Sequence, residues 1–272
     1  MRALAACAVT FALVALLVGC GGSARVRASA APPETTPPPP ASPAPVPSAE
    51  EPAVPGPFCL DHRDLEALGN DTVTYVAVAR RPLDARRTPA GGSLASFGLT
   101  NDNGHATVFE IRGVVEDGCG RLWYDAALPV RPNGTRGYVA ARDVDVLKVR
   151  TRIVVDLSAR RLTYFKDGEV TLEAEVAIGA PSTPTPTGRY YVNQRLIASD
   201  PSGPWGPAAI GISAFSDVLQ DWSQGGPIAI HGTNEPESIG EAASHGCIRL
   251  PNSTLRRLFA ITPAGTPVII HP

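Results

Sequence analysis

A thiol, two imidazoles and two glycines crowd one short stretch of this 272-residue chain. Ser244-His245-Gly246-Cys247-Ile248-Arg249-Leu250 carries the cysteine, and Ile230-His231-Gly232-Thr233 sets a second histidine sixteen residues before it. Attack on an amide needs a nucleophile, a base, and donors for the developing oxyanion. A free thiol has a pKa near ~8.5 and is mostly protonated at neutral pH, so a nearby imidazole must lower it or take its proton. His245 is two residues from Cys247, so on an extended strand it shares a face with it at about 6–7 Å. His231 follows the apolar run Pro227-Ile228-Ala229-Ile230, which reads as a buried strand delivering it to the same place. Gly246, lacking a Cβ, lets the backbone approach a ligand closely. The same side chains also admit zinc, as in a metallopeptidase, with a further ligand from Glu235, Glu237 or Glu241, although no His-Glu-x-x-His occurs. A third reading is structural: a buried histidine pair beside a core cysteine.

The chain ahead of this tract reads as exported. Met1-Arg2 opens a run from Ala3 to Val18 that is almost entirely apolar and closes on Leu17-Val18-Gly19-Cys20. That is a secretory-signal pattern over 1–19, too short for a comfortable span. A small residue directly before Cys20 resembles the bacterial lipobox, which implies a diacylglycerol-modified Cys20 and a lipoprotein anchored in a membrane facing the wall or periplasm. Residues 20–57 follow as a linker, with twelve prolines between 32 and 57 and no apolar periodicity. Extended at about 3.1 Å per residue, it is a tether of order 100 Å. With 24 basic and 26 acidic residues the net charge is −2, so nothing favours nucleic acid. If Cys20 carries lipid, Cys59 and Cys119 are the natural disulfide partners, closing a loop worth roughly 4 kcal/mol in the chain-entropy account. That arithmetic leaves Cys247 as the free thiol, the form a nucleophile or a metal ligand takes in an exported chain.

The rest reads as two β domains, 58–149 and 150–272. In the first, Val73–Ala79, Thr107–Ile111 and Arg121–Pro129 are strand-like, with turns at Asn101-Asp102-Asn103-Gly104 and Arg131-Pro132-Asn133-Gly134. His62 and His105 sit in polar, turn-rich contexts and read as solvated. In the second, Ile153–Leu157 and Leu162–Phe165 precede the Asp167-Gly168 hairpin turn, and Val268–Ile270 is a terminal strand. The persuasive helix is short, Ser253 to Phe259, with Asn252 or Ser253 available as its N-cap. Short strands with turn punctuation make the chain all-β, a β-sandwich or open barrel with one short helix after Cys247.

His231-Gly232-Thr233 and Ser244-His245-Gly246-Cys247-Ile248-Arg249 together resemble the active-site motifs of the L,D-transpeptidases of bacterial walls, the YkuD-type catalytic domain. Thr185-Pro186-Thr187-Gly188 and Trp205-Gly206-Pro207-Ala208 are similar to further segments of that family, so the resemblance spans nearly all of 150–272. It implies Cys247 as nucleophile and His231 as general base, oriented by the Gly232 carbonyl. It implies an oxyanion hole from the Gly246 and Cys247 N–H groups with His245 beside them, and Ser244 and Arg249 as substrate-binding residues. Arg249 equally suits a structural ion pair. The implied reaction attacks the third residue of a peptidoglycan tetrapeptide stem, expels D-alanine, and passes the thioester to an amine of another stem. No cofactor is needed, and carbapenems are implied inhibitors. Protein anchoring, D-amino-acid exchange or L,D-carboxypeptidase activity would use the same chemistry; a wall-binding lipoprotein with a disused site would use none. The order Trp123-Tyr124, turn, Gly137-Tyr138-Val139 is similar to bacterial SH3-like modules, which implies a small barrel that binds wall or positions the enzyme.

Overall fold

Alternation of apolar and polar residues sorts the strands into two sheets. In the computed structural model, residues 66–221 and 223–272 are described. The signal segment 1–19, Cys20, the 20–57 linker, Cys59 and His62 lie outside them. The first sheet holds β1 (Glu66–Ala67), β2 (Thr74–Ala79), β3 (Leu83–Arg86), β4 (Ser93–Phe97), β5 (Val108–Glu116), β6 (Leu122–Ala127), β7 (Arg136–Ala140) and β8 (Val144–Val149). They run β4-β3-β7-β6-β5-β2-β8 with β1 on β5, every pairing antiparallel. Phe109 and Ile111 of β5 fill its core, and Phe97 meets Phe109 edge to face at 4.9 Å.

The second sheet contains β9 (Thr151–Asp156), β10 (Arg161–Lys166), β11 (Glu169–Glu175), β13 (Gly188–Ile197), β14 (Ala208–Phe215), β15 (Pro227–His231), β17 (Ile248–Arg249) and β18 (Pro267–His271). A separate parallel pair joins β12 (Ile178–Gly179) to β16 (Ala242–Ser244). The order β11-β10-β9-β18-β13-β14-β15-β17 leaves two free ends, so the sheet does not close. Register follows burial: Ile153 sits opposite Tyr164 and Val155 opposite Leu162, all on the core face. The expected β9–β10 and β10–β11 hairpins form, the second turning through Asp167 (φ 53) and Gly168 (φ 89).

The helix α1 covers Asn252–Ile261 and buries Leu255 and Leu258 against this core. Its start corrects the expected cap. Pro251 is the N-cap residue and no side chain caps it, because the Asn252 carboxamide is used elsewhere. At the far end the Tyr164 hydroxyl donates to the Ile261 carbonyl at 2.6 Å, satisfying a C-terminal acceptor that the helix leaves open.

The two sheets are packed together. Tyr191 of β13 is fully buried, clusters with Val76, Val108 and Val149 of the first sheet, and donates its hydroxyl to the Val108 carbonyl at 3.0 Å. Beside it, Glu110 of β5 is buried and accepts from Arg189 Nε (2.8 Å) and Nη2 (2.6 Å), with Arg112 at 3.3 Å. Removing one partner of such a cluster strands a charge. Arg189→Met should therefore cost about 2–3 kcal/mol, the low end for a buried pair because solvent reaches Arg189. Urea midpoints of the single variants and of Glu110→Gln/Arg189→Met check this: the double variant should recover part of the loss. A single-variant cost within ~0.5 kcal/mol of zero would show that the joint does not rest on this pair.

Candidate active site

Two buried isoleucines set the register of the site. β17 pairs parallel with β15, Ile230 beside Ile248 and His231 beside Arg249, and both isoleucines are fully buried. Leu250 N–H continues the ladder to the His231 carbonyl at 2.8 Å. Side chains alternate along a strand, so Cys247, two residues before Arg249, enters on the face that carries His231. A one-residue slip would send the thiol to the other face. Cys247 is the free cysteine among the described residues and lines a cleft of about 730 Å³ together with His245, Trp205 and Ala229.

His231 is only 5% exposed. The Trp205 ring leans on it, centroids 4.6 Å apart, and the Gly232 carbonyl lies 2.5 Å from Nδ1. A carbonyl can only accept, so Nδ1 carries the proton and Nε2 keeps its lone pair. Burial pushes the imidazole down to about 4, with the Gly232 bond opposing and the Arg249 charge assisting. Burial likewise pushes the Cys247 thiol up, against smaller opposite pulls from the Ala229 backbone and Arg249. At neutral pH the pair is therefore a neutral thiol and a neutral imidazole.

Gly232 must be glycine for this. A Cβ there would collide with the Asn252 Oδ1 and Pro207 Cδ atoms. Asn252 grips the next residue twice, accepting from Thr233 N–H (2.9 Å) and donating to the Thr233 carbonyl (3.0 Å). That is the work that replaces capping; it and the stacking of Trp205 on His231 are positioning contacts that the sequence did not show, Trp205 being legible only as part of a family-like segment. An asparagine directly after Pro251 was the available signal, but it pointed to a cap.

Three expected substrate or oxyanion groups are placed otherwise. Ser244 is 1% exposed; its hydroxyl donates to the Cys247 carbonyl at 2.5 Å and accepts from Gly246 N–H at 3.1 Å. Its own carbonyl accepts from Thr183 Oγ1 (3.0 Å) and Ala180 N–H (2.8 Å). Ser244 thus shapes the turn instead of facing substrate, and the Gly246 N–H is spent inside that turn. Gly246 is needed for another reason, its φ of +111°. Arg249 does not line the cleft; Nη1 binds Glu235 Oε2 at 2.6 Å and Ser238 Oγ at 3.3 Å. Its ion-pair reading is the one realised. Glu235 is so engaged, and among the described residues no three His, Cys, Asp or Glu side chains, Glu237 and Glu241 included, converge as the zinc reading requires. His245 is exposed at the cleft.

The family model of the L,D-transpeptidase catalytic domain, YkuD, matches residues 150–270. The chain is 33% identical over 157 residues to the "Putative L,D-transpeptidase YkuD" of Bacillus subtilis (strain 168), covering 56% of this chain and 88% of that protein. Among solved structures it resembles the Ldtfm-avibactam carbamoyl enzyme at 32% identity and a TM-score of 0.36, over 45% of this chain and 49% of that one. The chain thus spans about half the length of that protein. It also resembles the catalytic domain of the E. faecium L,D-transpeptidase acylated by ertapenem, at 33% identity and a TM-score of 0.32, over 44% and 96% of the two chains.

The buried imidazole has a measurable signature. Its folded pKa of about 4 lies below the ordinary 6.5, so above pH 6.5 it adds no pH dependence. Between 6.5 and about 4 the unfolded chain gains a proton that the folded site refuses, and stability should fall by about 3 kcal/mol. Denaturation against pH should show that slope, and His231→Gln should remove it. Alkylation of Cys247 by iodoacetamide should rise only above the ordinary thiol range, near ~8.5; a plateau at acid pH would mean a resting ion pair instead.

Proposed function

This chain belongs to the YkuD family of L,D-transpeptidases, and from that we propose that it crosslinks peptidoglycan stem peptides through Cys247. The observation that carries the reading is a protonated thiol and an imidazole with a free Nε2 on one strand face, both neutral at rest. Sγ attacks the carbonyl of the third stem residue as the thiol proton passes to His231 Nε2. The Cys247 N–H receives the oxyanion. The C–N bond then breaks, the proton goes to the departing D-alanine amine, and a thioester remains. An amine of a second stem attacks it, His231 takes the amine's proton, and the proton returns to sulfur as the new amide forms. The Arg249 charge behind both groups favours the thiolate sulfur and disfavours a lingering imidazolium, which speeds return of the proton.

The same reading places the enzyme outside the cell, lipid-anchored at Cys20 on its proline-rich tether. The first sheet, as an SH3-like module, holds it to the wall, and Cys59–Cys119 staples that module. Carbapenems fit as inhibitors because their strained amide carbonyl is open to the same thiol.

Disaccharide-tetrapeptide incubated with the full-length protein should yield dimers by mass spectrometry, with one D-alanine lost per bond. Cys247→Ala should yield none, and His231→Gln should lower kcat by about 10²–10⁴. Intact-protein mass should rise by one molecule of ertapenem in the wild type and not in Cys247→Ala. Tripeptide without dimers would replace crosslinking by hydrolysis, and no product from a protein with a titratable Cys247 would sink the enzymatic reading.

A further inference from the structure

One wall of the cleft is not supplied by the catalytic sheet. Asn103, on the 98–107 loop that leads into β5, lines the same cavity as Cys247, together with Gln194 of β13 and Gln224 on the 216–226 loop. We propose that these three carboxamides form a subsite, shared between the two sheets, that binds an uncharged amide of the wall peptide in preference to a carboxylate. The proposal rests on the reading of this cleft as a wall-peptide site.

The three groups form a network before any ligand arrives. Asn103 Nδ2 donates to Gln194 Oε1 (2.8 Å) and to Gln224 Oε1 (3.4 Å), and Gln224 Nε2 returns a bond to Asn103 Oδ1 at 3.2 Å. Asn101 Nδ2 also donates to Gln194 Oε1, at 3.1 Å. The Gln194 oxygen is thereby saturated, while its Nε2 donates to no partner among the described residues. The side chain lies across Gly211, where a Cβ would press on its Cγ and Nε2; the missing side chain at 211 is what seats it on the cleft floor. Gln224 holds a left-handed φ of 57°, a conformation that costs a non-glycine residue free energy and recurs at ligand clamps. The first sheet fixes the loop that bears it. Arg131 Nη2 donates to the carbonyls of Ser216 (2.7 Å) and Gly225 (2.5 Å), and Asn133 pairs with both backbone groups of Phe215.

Charge selects the ligand class. Among the described residues lining the cleft there is no lysine or arginine, and the one carboxylate, Asp200, accepts two bonds from Ser202 at Oδ1. A substrate carboxylate entering here would lose water and meet no cation. A carboxamide or peptide bond both donates and accepts, as the Asn103–Gln194–Gln224 network does, so it can join without leaving a polar group unpaired.

The test is calorimetry on full-length Cys247→Ala, which binds without turnover. The ligands are two tetrapeptide stems, identical except that the carboxyl groups of the second residue and of the third side chain are free in one and carboxamides in the other. The carboxamide form should bind about tenfold more tightly or better. Asn103→Ala and, separately, Gln224→Ala should bring the two affinities together. Asn103→Lys should favour the free carboxylate. Equal affinities in the parent protein, no binding of either peptide, or a preference unmoved in all the variants would overturn the subsite. Turnover is read apart, on the protein with its thiol. Dimers formed despite equal affinities would sink the subsite alone, whereas a carboxamide preference without any turnover would sink the reaction alone.

Discussion

The site depends on a strand only two residues long. β17 is too short to hold its own register, and it is fixed because it is paired on both sides. Ile248 and Arg249 lie parallel to β15, while Arg249 exchanges both backbone bonds with Ala177, at 2.9 and 3.0 Å. Burying Ile230 against Ile248 makes any other register expensive, since a slip by one residue would expose one isoleucine and bury a polar neighbour. The Ser244 turn, the Thr183 contact and the Asn252 grip then act on a segment already tied at its centre. The Cys247 thiol and the His231 imidazole reach one face as a consequence of backbone pairing, with no direct bond between them required.

Burial is the second determinant, and it acts on both groups in the direction of neutrality. A solvated cysteine–histidine couple beside a positive charge could hold the thiolate ready. Here the Trp205 ring and the apolar cleft wall remove the water that would sustain separated charges. The Glu235 contact offsets part of the Arg249 charge, and the guanidinium pulls the thiol down less than burial pushes it up.

Much of this was legible in the chain, and the parts that were not share a cause. The free Cys247 thiol follows from cysteine arithmetic, and the His231–Gly232 carbonyl contact is implied by the family resemblance; β9, β10 and the Asp167-Gly168 turn are legible because alternation and turn residues are local signals. On motif alone Ser244 goes to substrate and the Gly246 N–H to the oxyanion, whereas their hydrogen bonds close within the turn over three residues. The Arg249 partner, Glu235, comes from a loop whose path no local pattern specifies. Asn252 looked like a cap because capping is what asparagine does in isolation; a tertiary partner, Thr233, outcompeted the helix end. β14 escaped notice for a similar reason. Ala208–Phe215 is rich in small residues and carries Gly211, weak strand formers by propensity, yet it lies between β13 and β15 with nearly every residue buried.

The family match begins at residue 150, which invites work on a fragment cut there. The Tyr191 hydroxyl and the Arg189–Glu110 cluster argue against that economy. A fragment starting at β9 would keep Arg189 without its carboxylate, expose a tyrosine that is now wholly enclosed, and release the Arg131 and Asn133 hold on the loop bearing Gln224. Inhibitors ranked on such a fragment would be ranked against a cleft missing one wall. Medicinal chemistry on this enzyme should begin with both sheets in the tube.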